Sequence, residues 1–200
     1  LAIDAIHVEQ DLIGESVGCQ DQIHAAYGGF NYIEFFQDGG FKVNPVIIKP
    51  ETIQELQDYS LLFFTGFSRF ASEVAAEQIK NTPEKKKELN IMQDMVIDAL
   101  KILKGENGTI EEFGKLLHES WELKRSLTHK ITSDVINNIY DTALKAGASG
   151  GKLLGAGGGG FMLFMAKPQY HDSIKEKLKG LLHVSFNLES NGSSIIFYNP

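Results

Sequence analysis

The sequence predicts a mixed fold of helices and strands, an α/β or α+β sandwich. Short apolar runs typical of strands, such as Phe30–Phe36 and Phe41–Ile48, are interspersed along the chain with amphipathic helical patterns. The chain has 200 residues, of which 42% are hydrophobic and 22% are charged. This length and composition are sufficient for one domain, or for two small ones, with an ordinary hydrophobic core.

Charge and composition exclude several classes of protein. The net charge is −7, so a broad electrostatic surface for nucleic acid or anionic lipid is not expected. No apolar run approaches the ~20 residues of a membrane helix, and the first residues lack a signal-peptide pattern. The single cysteine, Cys19, excludes an internal disulfide and a multi-cysteine zinc site. These observations predict a cytoplasmic enzyme or ligand-binding module that acts on a small molecule.

The first third of the chain is predicted to form a helix, a short helix and a hairpin. Residues 1–12 follow a helical pattern with no capping residue before Leu1, and we therefore expect the chain to begin inside a helix of a longer protein. Asp21 opens a short helix that ends at Gly28. The strands Phe30–Phe36 and Phe41–Ile48 are joined through an Asp-Gly pair, which is a strong hairpin signal.

The middle of the chain is predicted to be one strand followed by four helices. Tyr59–Thr65 is a continuous apolar run, which indicates a strand buried on both faces. A domain boundary is expected near residues 50–58, where the hairpin unit ends and the helical unit begins. The helices are expected over Phe70–Lys80, from Thr82-Pro83, behind a capping box of Thr109 and Glu112, and from Ser133 to Gly147.

A glycine-rich segment, residues 147–160, is predicted to be a loop before the strand Phe161–Ala166. Pro168 is expected to start a helix, and further strands are expected near His183–Leu188 and Ser194–Tyr198.

Five of the six residues 155–160 are glycine, a density that requires a physical reason because glycine loses more backbone entropy on folding than any other residue. Successive N–H groups in such a loop can form an anion-binding nest. The alternative is a flexible connection between two strands. Gly155, Gly157 and Gly160 match G-x-G-x-x-G, but a strand follows the loop instead of a helix, so a dinucleotide-binding fold is not predicted.

Asp21 is a candidate for catalysis. It follows Gly18, Cys19 and Gln20 at a helix start, where backbone N–H groups can hold a carboxylate rigidly. Phosphoryl transfer to a hydroxyl often uses such an aspartate to orient the alcohol and accept its proton. The alternative is that Asp21 only caps its helix.

Arg69 is a candidate for ligand binding, because it follows a strand and a glycine and its guanidinium suits a phosphate or sugar hydroxyls. An exposed arginine without a ligand is the alternative. The six histidines show no spacing typical of metal ligands, so no metal-ligating residue is assigned.

Two segments resemble a known family. Lys152–Phe164 (KLLGAGGGGFMLF) resembles the third, C-terminal motif of the GHMP small-molecule kinases. Val17–Phe35 resembles the segment that carries their catalytic aspartate. Within this superfamily the chain is most similar to the D-glycero-D-manno-heptose kinases, and Leu61–Gln78 and His118–Leu127 fit that branch and the related fucokinases.

The resemblance implies an ATP-dependent sugar kinase that uses Mg²⁺. Residues 1–57 would complete the first domain, and residues 58–200 would form a ferredoxin-like second domain. Asp21 would activate or position the acceptor, the anomeric hydroxyl of a heptose 7-phosphate. The loop that lines the site and supports the phosphate-binding loop would comprise Gly155, Ala156, Gly157, Gly158, Gly159 and Gly160. Candidates for sugar binding are Gly18, Gln20, Arg69 and Lys124, the last two for the phosphate of the sugar.

The principal phosphate-binding motif of the family, P-x-x-x-G-L-G-S-S-A, is not found in these 200 residues. We therefore expect this chain to be the C-terminal part of a longer kinase, which by itself would bind ATP poorly and would not turn over. Two alternatives remain open. The acceptor could be fucose or another sugar, or the chain could be a non-catalytic anion-binding module.

Overall fold

The structure of the chain is a computed structural model that describes residues 1–67 and 71–197. The chain forms two compact units. The first contains residues 1–48 together with the residues from Asn187 onward, and the second is Lys49–Phe186. Each unit therefore has its own internal packing.

The first unit begins with helices and continues into a hairpin. Helix α1 (Ala2–His7) runs into a π-helical turn (Val8–Ile13), which confirms the helical prediction for this region. Helix α2 (Gln20–Tyr27) follows after a loop. Strands β1 (Asn31–Phe35) and β2 (Phe41–Pro45) pair antiparallel, so the predicted hairpin is confirmed with shorter strands.

The C-terminal segment of the first unit lies against the end of α2. The backbone N–H and the hydroxyl of Ser193 both donate to the carbonyl of Ala25, each at 2.8 Å. The prediction of a strand over Ser194–Tyr198 is wrong for residues 194–197, which form no strand, and Tyr198 lies outside the described residues. A β-prone sequence forms a strand only where a neighbouring strand supplies its hydrogen bonds.

The second unit is built on a four-stranded antiparallel sheet. The strands lie in the order β4 (Ala148–Leu153), β5 (Phe161–Ala166), β3 (Ser60–Phe64) and β6 (Leu182–Val184). With helices after β3 and after β5, this order gives the β-α-β-β-α-β arrangement of ferredoxin-like folds. The helices of this unit are α3 (Pro50–Tyr59), α4 (Ala71–Asn81), α5 (Lys86–Leu103), α6 (Ile110–Arg125), α7 (Asp134–Lys145) and α8 (His171–Lys177).

Two prolines lie in 3₁₀ turns instead of at the starts of α-helices. Pro83 lies in the turn Thr82–Glu84, and Pro168 lies in the turn Pro168–Tyr170. The φ angle of proline suits a 3₁₀ turn as well as the first turn of an α-helix, so the sequence pattern does not distinguish the two. The capping box of Thr109 and Glu112 is confirmed.

Two predictions about strands of the second unit are wrong. In β3, Leu61 and Phe63 are buried, but the three residues that point to the other face are only half-buried. Both neighbours of β3 are antiparallel, and strands of antiparallel sheets commonly bury one face only. Residues 148–153, predicted as loop, form β4, because pairing with β5 supplies the hydrogen bonds that its small residues do not indicate.

The core of the second unit lies between the sheet and its helices. Trp121 of α6, Tyr140 of α7 and Phe164 of β5 are fully buried, and the Tyr140 ring packs against the other two at centroid distances of 6.0 Å and 5.9 Å. Along the described ranges, no helix is long and apolar enough to cross a membrane.

Candidate active site

The glycine-rich segment predicted to bind an anion is the connection between β4 and β5, residues 154–160, which we call the glycine connection. Its backbone leaves the usual regions for L-residues: Gly155 has φ 74° and Gly157 has φ 127°. Gly157 and Gly158 are buried, whereas Gly155 is exposed. The start of the connection therefore faces solvent, and its middle is buried inside the unit.

Thr65 and Phe67, which follow β3, hold the second half of the glycine connection. The N–H of Thr65 donates to the carbonyl of Gly160 at 2.9 Å, and the Thr65 hydroxyl is also 2.9 Å from that oxygen. In return the N–H of Gly160 donates to the carbonyl of Phe67 at 2.9 Å. Thr65 is a buried polar residue, and these bonds satisfy its hydroxyl.

Residues 156–158 of the connection are held from two other segments, α4 and the turn that contains Ile131. The Nε2 of Gln78 in α4 donates to the carbonyl of Ala156 at 3.0 Å. The N–H of Gly158 donates to the carbonyl of Ile131 at 2.8 Å. A Cβ at Gly157 would lie 2.8 Å from the Ile131 Cα, which is too close for any side chain. The connection is thus anchored on several sides, in contrast to the alternative of a flexible link.

The amides of Gly158 and Gly160 bond to carbonyls of the protein itself. These two N–H groups therefore do not form an anion-binding nest in this structure. The arrangement instead fits the role that the family resemblance implies, in which the connection lines the site and supports a separate phosphate-binding loop.

Lys124 lies beside the exposed end of the glycine connection. Its ammonium group, in the last turn of α6, donates to the carbonyl of Gly155 at 2.7 Å. The structure thus brings together Lys124 and the glycine-rich segment, which the sequence predicted as two separate candidates. A cation at this position attracts an anionic group that approaches Gly155.

Lys152 is a half-buried residue of β4, next to the buried core residue Leu153. Burial lowers the pKa of its ammonium group below the ordinary lysine value.

Asp21 belongs to the first unit, in the first turn of α2. The cap position is Cys19, whose side chain makes no capping bond, so Asp21 is the second residue of the helix and not its cap. Its side chain is exposed, as are Gly18 and Gln20, while Ile23 on the inner side of α2 is fully buried. The structure therefore places the three predicted residues on one exposed segment, with the carboxylate at the positive end of a helix.

Gln22 anchors the start of α2. Its Nε2 donates to the carboxylate of Glu9 in the π-helical turn. This bond joins the first turn of α2, which contains Asp21, to the preceding π-helical turn.

Arg69 lies outside the described residues. Among the residues that the structure does describe, no group of three or more His, Cys, Asp or Glu side chains could hold a metal ion.

Sequence reasoning did not identify Gln78 and Ile131 as supports of the glycine connection. The role of Ile131 is carried by its backbone carbonyl, which leaves no signal in side-chain chemistry. Gln78 is one polar residue on a helix among many, and only its tertiary position distinguishes it. Thr65 is predicted only as the end of the strand Tyr59–Thr65, and no sequence prediction singles out Phe67.

A family model and several known proteins match the sequence of this chain, and the residues that match the family model lie in the second unit. Residues 96–183 match the family model described as GHMP kinases C terminal. The D-glycero-alpha-D-manno-heptose 7-phosphate kinase of Campylobacter jejuni is 34% identical over 168 residues, which are 82% of this chain and 48% of that protein. The L-fucokinase/L-fucose-1-P guanylyltransferase of Bacteroides fragilis is 30% identical over 178 residues, which are 86% of this chain and 18% of that protein.

A solved structure shows the same fold. The crystal structure of a D-glycero-D-manno-heptose 1-phosphate kinase from Bacteroides thetaiotaomicron matches with a TM-score of 0.63 and 29% identity, over 96% of this chain and 52% of that chain. The chain thus spans about half the length of the two heptose kinases that it matches. Its ferredoxin-like sheet, its glycine connection and these matches show that the chain carries the C-terminal domain of a GHMP kinase.

Proposed function

We propose that the protein carrying this chain is an ATP-dependent sugar kinase, and that its acceptor is the anomeric hydroxyl of D-glycero-D-manno-heptose 7-phosphate. The observation that carries this proposal is the 34% identity to a heptose 7-phosphate kinase over 82% of the chain. This match is longer than the second unit alone, so it includes residues of both units.

In the proposed reaction, Asp21 orients the acceptor hydroxyl and accepts its proton. The hydroxyl oxygen then forms a bond to the γ-phosphorus of ATP, while the bond between that phosphorus and the β,γ-bridging oxygen breaks and ADP leaves. The exposure of Asp21 at a helix start supports this role, because the side chain can reach a substrate from an anchored backbone. Gly18 and Gln20, on the same exposed segment, are proposed to contact the sugar.

The glycine connection is proposed to form one wall of the nucleotide site and to support the phosphate-binding loop. The close backbone packing at Gly157 supports this role, because a bulkier residue there would displace the wall. Lys124 is proposed to attract the phosphate of the sugar, since its ammonium group lies at the exposed end of this wall. Arg69 is proposed for the same phosphate on sequence grounds.

A second acceptor is favoured by one observation. The fucokinase of Bacteroides fragilis is 30% identical over 86% of the chain, so L-fucose is the alternative acceptor. Fucose carries no phosphate, and a fucose kinase would therefore gain nothing from cations placed for a sugar phosphate.

The test is a panel assay of the protein that carries this chain, with ATP and Mg²⁺, against heptose 7-phosphate, fucose, galactose and mevalonate. ADP release coupled to a second enzyme reports turnover, and ³¹P NMR identifies a new anomeric phosphate. We expect the highest kcat/KM with heptose 7-phosphate. A preference for fucose would shift the assignment to the alternative acceptor. Binding of an anion without turnover of any sugar would favour the non-catalytic module.

A further inference from the structure

Three residues of the turn between α6 and α7 contact the same carboxylate of α4. The carboxylate of Glu77 accepts a hydrogen bond from the hydroxyl of Thr128. It also pairs with His129 Nδ1 at 3.2 Å and with Lys130 Nζ at 3.0 Å. Three consecutive residues of the turn are thus held by a single side chain that is only 20% exposed.

Helix α4 holds the turn and the glycine connection at the same time. One turn after Glu77, the Nδ2 of Asn81 donates to the carbonyl of Leu127 at 3.1 Å. Gln78, next to Glu77, donates to the carbonyl of Ala156 in the glycine connection. A single stretch of α4 therefore sets the distance between two segments that are about 30 residues apart in the sequence.

The same turn, through Ile131, contacts the buried glycines 157 and 158. Ile131 is fully buried, and its N–H donates to the carbonyl of Thr128 at 3.3 Å. The carbonyl of Ile131 accepts a hydrogen bond from the N–H of Gly158, and the Ile131 Cα lies only 2.8 Å from the position that a Cβ of Gly157 would take. A continuous path of hydrogen bonds thus leads from the Glu77 carboxylate through Thr128 and Ile131 to Gly158.

Glycine-rich segments need such external anchors. Each glycine samples more backbone conformations when unfolded than any other residue, so ordering the glycine connection is entropically costly. Hydrogen bonds to a charged acceptor are stronger than those between neutral groups, which makes an ionised carboxylate an effective anchor.

We propose that Glu77 is a positioning residue for the nucleotide site. Its carboxylate holds the turn 128–130, and through the Ile131 carbonyl this turn sets the position of Gly157 and Gly158. The inference rests on the proposed function, in which the glycine connection forms a wall of the ATP site. Glu77 itself makes no contact with substrate in this role.

The first test measures how well the amides of the glycine connection are protected from hydrogen exchange, and it does not require kinase turnover. Amide hydrogen exchange is compared for wild type, Glu77→Ala and Glu77→Gln, with Glu73→Gln as the control because Glu73 is an exposed residue of the same helix. We expect Glu77→Ala to speed exchange at the Gly158 amide about tenfold, with exchange in β5 unchanged. Glu77→Gln keeps an oxygen for Thr128 and should recover part of the protection.

Unchanged exchange at Gly158 in Glu77→Ala would overturn the proposal. Equal acceleration in β5 would do so as well, because it would show global destabilisation instead of local positioning. If Glu77→Ala does not fold, Glu77→Gln and Thr128→Val provide the same comparison with smaller changes. This readout does not depend on kinase activity, so it remains informative if the proposed function fails.

The second test compares the effect of Glu77→Ala on KM for ATP with its effect on KM for the sugar. In the active protein we expect Glu77→Ala to raise KM for ATP about tenfold while KM for the sugar stays within about twofold. Glu73→Gln should change neither constant. An equal rise in both KM values, or a loss of kcat alone, would contradict a positioning role at the nucleotide wall. Absence of turnover in wild type would instead contradict the proposed function.

Discussion

At the scale of single residues, the first unit carries one candidate carboxylate, and the second unit carries the candidate glycines. Asp21 is exposed, while its helix is anchored on the inner side by Ile23 and Gln22. Gly157 is buried against backbone atoms of Ile131, with a positive φ. The Asp21 side chain is therefore accessible from solvent, whereas a side chain at Gly157 would collide with the Ile131 backbone.

Asp21→Asn tests the catalytic assignment. Asparagine keeps the size of the side chain but cannot accept the proton of the acceptor, so we expect kcat to fall by a factor on the order of 10² or more. The affinity for ATP, measured by titration calorimetry, should stay within a few-fold. Asp94→Asn, an exposed aspartate of α5, is the control. Near-normal kcat in Asp21→Asn would remove Asp21 from the mechanism.

Gly157→Ala tests the close packing of the glycine connection. The added Cβ would lie 2.8 Å from the Ile131 Cα at a backbone φ of 127°. We expect the free energy of unfolding to fall on the order of 2 kcal/mol, as measured by urea denaturation. Gly180→Ala serves as the control, because a Cβ at Gly180 meets nothing within 4 Å. Equal stability of both variants would show that the connection adapts to a side chain.

At the scale of elements, the second unit is held together by aromatic packing between two helices and the sheet. Tyr140 of α7 is fully buried, and its hydroxyl shares a hydrogen bond of 2.8 Å with His118 Nδ1 of α6. The ring of Tyr140 also packs against Trp121 and Phe164. This one side chain therefore joins α6, α7 and β5.

Tyr140→Phe tests this junction. The variant keeps the ring but leaves His118 without its buried partner, so we expect a loss of about 1–2 kcal/mol in the free energy of unfolding. Burial raises the pKa of Tyr140 well above its ordinary value of 10.0. Wild type should therefore lose stability as pH rises above 10, since only the unfolded tyrosine ionises there, and Tyr140→Phe should lose less.

Thermal unfolding at pH 7 and at pH 10.5 provides the measurement. Tyr170→Phe is the matched control, because Tyr170 is 40% exposed. If Tyr140→Phe, like the control, had the same stability as wild type and lost as much stability between pH 7 and pH 10.5, the hydroxyl of Tyr140 would have no structural role.

At the scale of the whole molecule, carboxylates of both units accept hydrogen bonds that affect their pKa. Hydrogen bonds lower the pKa of Glu77, Glu88, Glu111 and Glu189 below the ordinary value of 4.5. For Glu77 the main cause is the Thr128 hydroxyl, and for Glu111 it is the Lys167 ammonium group. Each of these groups is therefore more acidic in the folded chain than in the unfolded one.

Acid should therefore destabilise the molecule. A carboxyl with a lowered folded pKa stabilises the fold above its unfolded pKa, and this contribution is lost as pH falls through the folded value. We expect the urea midpoint to fall as pH drops below 4.5. The double variant Glu77→Gln, Glu111→Gln should show a smaller fall. A midpoint that rises below pH 4.5 would contradict the assignment.

Much of the fold could be predicted from local patterns. The hairpin follows from an Asp-Gly pair between β-rich runs, and α6 follows from its capping box. The strand β4 could not be predicted in this way, since its small residues have low β-propensity and only pairing with β5 makes them a strand. For the same reason, the apolar residues 195–197 form no strand.

The chemistry of the candidate site was determined largely by the sequence itself: a carboxylate at a helix start and a glycine-rich segment are local features, encoded by neighbouring residues. The tertiary structure alone decided what holds the glycine connection. Its anchors, Thr65, Gln78 and Ile131, come from separate segments and act through an N–H and a hydroxyl, through a side-chain amide and through a backbone carbonyl. A hydrogen bond between distant segments depends on where the whole chain places them, and no local pattern records that placement.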